Sequence, residues 1–238
     1  MQLSVILPTY NEATNIVRLI ESILSLVPKG CVYEIIVVDD DSPDGTYETV
    51  RQTFQGHQRI RPLMRTKDRG LANSIRAGIE SARGASVIVM DTDFTHNPEE
   101  IPRLLHVAEL YDIVSGSRFC PGGLMQNTTH YLCSLIFNWF VRIVLRTQVQ
   151  DNTGGYFIMR RKKLLSLPLD RIFYGYGDYY FRLLHYAQKR NFSIVEIPAR
   201  YISRSIGQSK SNFIRMFFGY TRAMLRMKYQ ILQDARER

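Results

Sequence analysis

The chain has 238 residues, enough for one large domain or two small ones, and its hydrophobic share of 45% is ordinary for a globular protein that buries a core. Its formal net charge of +9 favours an anionic partner, such as a phosphate substrate or an anionic membrane surface. No zinc-finger spacing, aromatic RNA-binding strand or helix-turn-helix pattern accompanies that charge, so no nucleic-acid partner is expected; Cys31, Cys120 and Cys133 read as reduced packing residues.

The chain begins in a strand-like run, Leu3-Ser4-Val5-Ile6-Leu7, so no secretory leader is expected. Asn11 is placed to cap a helix whose apolar residues Ile16, Leu19, Ile20, Ile23 and Leu24 recur at helical spacing. Glu34 to Val38 reads as a buried strand ending in Asp39-Asp40-Asp41, and the turn Ser42-Pro43-Asp44-Gly45 leads into the next helix. A helix is predicted from Gly70 to Ala82, then the strand Val87-Ile88-Val89-Met90, which ends in Asp91-Thr92-Asp93. Pro98 opens a helix to about Tyr111, followed by the strand Ile113-Val114-Ser115. This alternation predicts an α/β fold, a parallel sheet with helices on both faces. Ligands of such sheets bind beyond the carboxyl ends of the strands. Here those ends carry Pro8 to Glu12, Asp39 to Asp41, Asp91 to Asp93 and Gly116-Ser117-Arg118, so four polar clusters are expected at one edge.

The second half reads differently. Tyr131 to Leu145 is very apolar, with Ser134, Asn138, Arg142 and Arg146 as a narrow polar stripe at every fourth position. Its uninterrupted apolar stretch is far below the about 20 residues needed to cross a bilayer. In the C-terminal segment Arg215, Gly219, Arg222, Arg226 and Gln230 line one side, and Phe213, Met216, Phe217, Tyr220, Met224, Leu225, Met227 and Ile231 fill the others. Either helix alone fits packing on the sheet or in a dimer. Together, and with the net positive charge, they point to peripheral membrane contact. The expected organisation is a unit over residues 1–211, with an amphipathic insertion at about 125–148, and a basic amphipathic helix over 212–238.

Two carboxylates directly after an apolar strand repel each other, and a divalent cation removes that repulsion. Mg2+ and Mn2+ take oxygen ligands and bind substrate phosphates, so Asp91 and Asp93 read as a metal-diphosphate site. The plainer alternative is a loop that begins with two solvated acids. A dinucleotide-binding dehydrogenase needs a Gly-rich turn after the first strand; Pro8-Thr9-Tyr10-Asn11-Glu12 stands there, and no P-loop is present.

As an ordered set, Pro8 to Glu12, the run Val37 to Thr46 and Asp91-Thr92-Asp93 resemble the family-two glycosyltransferases of the GT-A (Rossmann-like) fold. Gly116-Ser117-Arg118, Asp151-Asn152-Thr153-Gly154-Gly155-Tyr156, and Arg204 followed by Gly207-Gln208-Ser209-Lys210 narrow the resemblance to the dolichol-phosphate (polyprenyl-phosphate) mannose synthases, over roughly residues 3 to 212.

The resemblance implies a nucleotide-sugar held by Pro8, Tyr10, Glu12, Val37 and Asp39, with Asp91, Thr92, Asp93 and Arg204 at its diphosphate. It implies a Mg2+ or Mn2+ cofactor on Asp91 and Asp93, with Thr95 where the synthases commonly carry Gln. Arg118, Ser209 and Lys210 would hold an acceptor phosphate; their plainer reading is solvated surface. Asp40 and Asp41 also fit a helix-capping turn. The implied catalytic set is Asp91, Asp93, Arg118 and Asp178. Asp178 lies in Gly175-Tyr176-Gly177-Asp178-Tyr179-Tyr180, a stretch that departs from the synthases, and two readings stand for it: base toward a hydroxyl acceptor, or helix cap.

The implied activity is inverting transfer of a sugar, mannose from GDP-mannose, to a polyprenyl or dolichyl monophosphate. It would take place at the cytosolic membrane face, with peripheral attachment and room for a membrane-anchoring protein partner. One alternative is a transferase building a polysaccharide or glycolipid onto a hydroxyl, with Asp178 as base. Another is a non-catalytic membrane-binding relative, against which Asp91, Asp93, Arg118 and Arg204 argue.

Overall fold

The computed structural model describes residues 2–201 and 213–236. In chain order it runs β1 (Leu3–Thr9), α1 (Ile16–Leu26), β2 (Tyr33–Asp39), α2 (Thr46–Thr53), β3 (Ile60–Met64), α3 (Leu71–Ser81) and β4 (Ser86–Val89). A 3-10 turn (Pro98–Glu100) leads into α4 (Ile101–Val107), then β5 (Ile113–Ser117), a short β6 (Leu124–Met125) and the long α5 (Thr128–Leu145). The rest comprises β7 (Phe157–Arg160), α6 (Arg161–Leu165), α7 (Leu169–Ile172), α8 (Tyr179–Lys189), β8 (Ile194–Pro198), β9 (Arg200–Tyr201) and α9 (Phe213–Arg236).

Seven strands form one sheet in the order β3-β2-β1-β4-β7-β5-β8. Every pairing is parallel except those of β7, which runs antiparallel to both β4 and β5. The expected parallel βα sheet is therefore present, with one reversed strand that the sequence pattern did not announce. β3 was also not anticipated. It carries Arg61 and Pro62 and lies at the sheet edge, where a missing N–H is tolerated.

The central strands are buried on both faces, which is why they read as continuous apolar runs. On one face Leu3, Val5, Leu7, Ile35 and Val37 pack against Ile16, Leu19, Ile20 and Ile23 of α1 and Ile101 and Leu104 of α4. On the other, Ile6, Ile36, Val38, Val87 and Val89 meet Ile75 and Ile79 of α3 and Tyr180, Leu183 and Leu184 of α8. A smaller cluster joins α5, α8 and α9 through Phe137, Val141, Leu145, Phe181, Met224 and Met227.

Two local expectations are corrected. Asn11 does not cap α1: it takes a left-handed φ of 59°, and the cap position falls at Asn15. The helix from Pro98 stops at Val107 rather than near Tyr111. The polar stripe of α5, whose facing the sequence left open, is divided: Asn138 is buried while Arg142 and Arg146 are exposed, as are Leu132, Leu135, Ile136, Trp139 and Ile143.

Candidate active site

The parallel register sets the ends of the first strands level. Thr9 pairs with Asp39 across β1 and β2, and Val89 lies opposite Ile6 across β4 and β1. The loops after β1 and β2 are then stitched together. Asn11 N–H donates to Ser42 Oγ (3.0 Å), Glu12 N–H to Thr46 Oγ1 (2.9 Å) and Ala13 N–H to Asp44 Oδ2 (3.0 Å). Within this cradle Tyr10 is 48% exposed, while Val37 and Asp39 are buried. Asp39 accepts from Thr9 Oγ1 (2.9 Å), Ser42 Oγ (2.6 Å) and Ser42 N–H (2.8 Å), so its carboxylate braces the loop. Asp40 pairs with Arg65 (2.6 Å) and accepts from Gly70 N–H (2.6 Å), which ties β2 to the start of α3 rather than capping α2. Arg65 also donates to Ser74 Oγ (2.9 Å).

Beyond β4 the chain turns sharply at Phe94, whose φ of 64° is left-handed. Asn11 and Asp41 take similar values at the ends of β1 and β2. A bulky residue in that region is a true outlier, and such strain gathers at functional sites. The turn brings Thr95 back onto Asp93, whose Oδ1 accepts from Thr95 N–H (3.0 Å) and Thr95 Oγ1 (2.5 Å). Thr92 Oγ1 donates to the Pro8 carbonyl (3.5 Å), joining this loop to β1. Asp91 is half-exposed, and its N–H donates to His96 Nδ1 (2.8 Å). Among the described residues no group of three or more His, Cys, Asp or Glu is placed to hold a metal ion. Asp91 and Asp93 thus fit a cation that takes the rest of its ligands from substrate phosphates and water, the usual habit of Mg2+.

The reversed strand supplies the opposite wall. Phe157, the first residue of β7, pairs with both Val89 and Ser115, so the residues leading into it lie at the same edge as the ends of β4 and β5. Gly154 and Gly155 allow a close approach there: a Cβ on Gly154 would sit 2.9 Å from Tyr201 Oη, and one on Gly155 3.0 Å from Tyr179 Oη. Burial pushes both of those phenols well above their ordinary pKa, so they stay neutral. Arg118, one residue past β5, is forked onto Asp151 (Nε to Oδ2 2.8 Å, Nη2 to Oδ1 2.7 Å) and also reaches Thr153 Oγ1 (2.9 Å). Burial works against its charge, but Asp151 raises the guanidinium pKa above its ordinary value.

The fold is similar to that of glucosyl-3-phosphoglycerate synthase from Mycobacterium tuberculosis, solved with Mn2+, UDP and glucosyl-3-phosphoglycerate. The TM-score is 0.71 at 20% identity, over 95% of this chain and 79% of that one. Residues 4–167 match the family model described as glycosyl transferase family 2. This chain belongs to glycosyltransferase family 2. The transferase is also 34% identical, over 233 residues, to a dolichol-phosphate mannosyltransferase of Pyrococcus furiosus, spanning 95% of this chain but only 64% of that enzyme. It is 35% identical to an undecaprenyl-phosphate mannosyltransferase of Micrococcus luteus, over 88% of this chain and 87% of that enzyme.

Of the expected site residues, Pro8, Tyr10, Glu12, Val37, Asp39, Asp91, Thr92, Asp93, Thr95 and Arg118 all lie on or beside these strand ends. Arg204, Ser209 and Lys210 lie outside the described residues, which end on this side of them at Tyr201 of β9. Asp178 precedes α8, where it is ion-paired to the buried Arg182 and accepts from Tyr176 N–H (2.8 Å). Arg182 also donates to the carbonyls of Ile172 (2.8 Å) and Tyr174. Sequence reasoning missed Asp151 as the partner of Arg118, Arg65 as the partner of Asp40, and the loop before β7 as the partner of Asn138. Only Asn138 left a signal, a lone amide in the middle of an apolar helix.

Proposed function

We propose that the transferase moves a mannosyl group from GDP-mannose to a polyprenyl monophosphate, with inversion at the anomeric carbon. The supporting observation is the pair of facing walls at one sheet edge. Asp91 and Asp93 stand at the end of β4, and Arg118 with the Gly154-Gly155 loop stands across the reversed β7. The names of the Pyrococcus and Micrococcus relatives support the lipid-phosphate acceptor and the mannosyl group.

An acceptor phosphate oxygen attacks the anomeric carbon in line. The bond from that carbon to the donor diphosphate breaks, and the nucleoside diphosphate leaves with the electron pair. A phosphate acceptor is already ionised at neutral pH, so no base is required, and Asp178 serves its ion pair with Arg182 instead. Asp91 and Asp93 would hold Mg2+ or Mn2+, which when bound offsets the charge growing on the departing diphosphate. Thr95 orients Asp93 through the bonds described above. Pro8, Tyr10, Glu12, Val37 and Asp39 line or brace the nucleoside end, and Arg204 is assigned to the diphosphate. Arg118 orders the β7 loop, and with Ser209 and Lys210 forms the acceptor-phosphate side.

The test is a donor panel: purified protein, Mn2+ or Mg2+, a short polyprenyl phosphate and labelled GDP- and UDP-sugars. Label entering the lipid phase from GDP-mannose is the expected result. Transfer only onto a hydroxyl acceptor would replace this reading with the polysaccharide or glycolipid one.

Residues 1–211 form the catalytic unit in this proposal, and 212–238 add a membrane-facing helix. Among the described residues no helix is long and apolar enough to cross a membrane. α5 exposes Leu132, Ile136, Trp139 and Ile143, while α9 exposes Phe218, Leu225 and Tyr229 beside Arg222 and Arg226, the make-up of an interfacial helix. The proposal places the attachment at the periphery of the cytosolic face, alone or with an anchoring protein, and these exposed apolar and basic side chains are what support it. Changing Arg222 and Arg226 together to Gln should weaken sedimentation with anionic vesicles about thirtyfold, since each charge near the surface contributes about 1 kcal/mol. Unchanged partition would remove α9 from the membrane surface.

A further inference from the structure

α5 presents apolar side chains outward, yet its middle residue Asn138 is 1% exposed and turned inward. A buried amide in an apolar helix is costly unless its polar atoms are satisfied. Asn138 satisfies them largely on the loop before β7. Its Nδ2 donates to Thr153 Oγ1 (2.9 Å) and to the Ser134 carbonyl (2.8 Å), and its Oδ1 accepts from Asn152 N–H (2.6 Å). The next carbonyl along that loop, Gly154, lies 3.1 Å from His96 Nε2. His96 Nδ1 in turn accepts the Asp91 N–H at 2.8 Å, which leaves the ring proton on Nε2, facing Gly154. His96 is held in that pose by stacking on Tyr156 (4.8 Å between centroids) and an edge contact with Tyr201 (4.9 Å). An unbroken path of hydrogen bonds and backbone therefore runs from the outer helix α5 to the main chain of Asp91.

We infer that Asn138 and His96 are coupled positioning residues: Asn138 fixes the 152–154 loop, and His96 passes that position on to Asp91. Neither is assigned contact with the reacting atoms. How α5 is seated thereby sets the geometry of the carboxylates across the site. The inference rests on the metal role proposed for Asp91 and Asp93. Partners that orient metal ligands are worth about ten- to hundredfold in metal affinity when removed. Independent residues show multiplicative losses, whereas members of one network do not.

The experiment measures Mn2+ affinity by electron paramagnetic resonance with GDP or UDP present, alongside kcat and KM. The variants are Asn138→Ala, His96→Asn and the double. His96→Asn keeps an acceptor for the Asp91 N–H but is too short to reach Gly154. Each single variant should weaken Mn2+ binding about tenfold, and the double also by about tenfold in total rather than about a hundredfold. His96→Gln, whose amide reaches the place of Nε2 but leaves the Asp91 N–H without its acceptor, should show the same loss, since each substitution breaks one half of the link. If Asn138→Ala does not fold, Asn138→Ser carries the same test, because its hydroxyl can bond the Ser134 carbonyl but cannot span to Thr153. Multiplicative losses in the double, or wild-type affinity in either single variant, overturn the inference alone. A wild-type chain that binds no Mn2+ in the presence of either nucleotide overturns the metal role, and this inference with it.

Discussion

Asp93→Asn should lower the transfer rate by about a hundred- to a thousandfold while leaving the fold intact. The asparagine preserves size and shape, and its oxygen can still accept from Thr95 N–H and Thr95 Oγ1, the bonds that now place Asp93. What disappears is the negative charge proposed to hold the cation against the donor diphosphate. Losing a single preorganised electrostatic contact to the transition state commonly costs this much. In that proposal Asp91 and Asp93 are the acidic ligands, and among the described residues no third is grouped with them to compensate. Thr95→Val should cost less, about tenfold, since it only loosens the orientation of Asp93. Transfer assays at saturating donor, paired with calorimetric melting, separate the two effects. Transfer by Asp93→Asn within about tenfold of the natural chain would falsify the role given to this carboxylate.

Asp151→Ala should destabilise the protein by about 3–5 kcal/mol, because it strands the guanidinium of Arg118 in the interior without its counter-charge. The side chain of Asp151 is 0% exposed and that of Arg118 9% exposed. The pair is also embedded: Asp151 accepts from the Arg118 N–H (3.0 Å), and its own N–H donates to Glu196 Oε1 (2.8 Å). Such a loss is a large part of the about 5–15 kcal/mol by which a domain is stable. Replacing both partners, Arg118→Met with Asp151→Leu, should return much of the stability, since an apolar pair carries no desolvation cost. The double variant should still be defective in transfer, because the β7 loop loses its bond from Arg118 to Thr153 (2.9 Å). Urea midpoints for the three proteins decide the matter. A single-variant cost under about 1 kcal/mol would mean that water reaches Arg118 and the pair is a surface one.

Much of the sheet edge where the candidate residues gather was legible because its signals are local. Strands buried on both faces must be continuously apolar, and they must end where polar loops begin; Leu3 to Leu7, Glu34 to Val38 and Val87 to Val89 announce themselves in this way. The family resemblance added roles that no spacing could supply. Local patterns also misled. An Asn ahead of a helical period suggested a cap, but the bond from Asn11 N–H to Ser42 Oγ draws that residue into the cradle with a left-handed φ. In α5 the periodicity marked a polar stripe correctly, yet could not say which side would face solvent. The buried bonds of Asn138 to Thr153 and Asn152 decide that.

By itself the sequence determined the βα order, the strand ends that carry Asp39, Asp91 and Arg118, and two helices too apolar for an ordinary surface. Those features depend on residue type and short-range period. The tertiary structure alone decided that β7 runs backwards between β4 and β5, because a strand's direction in a sheet is set by the partners it meets and not by its own residues. It alone chose the partners: Asp151 for Arg118, Arg182 for Asp178, Arg65 for Asp40. A charge finds its counter-charge through chain segments that meet only after the sheet has formed, and burial then makes that choice costly to undo.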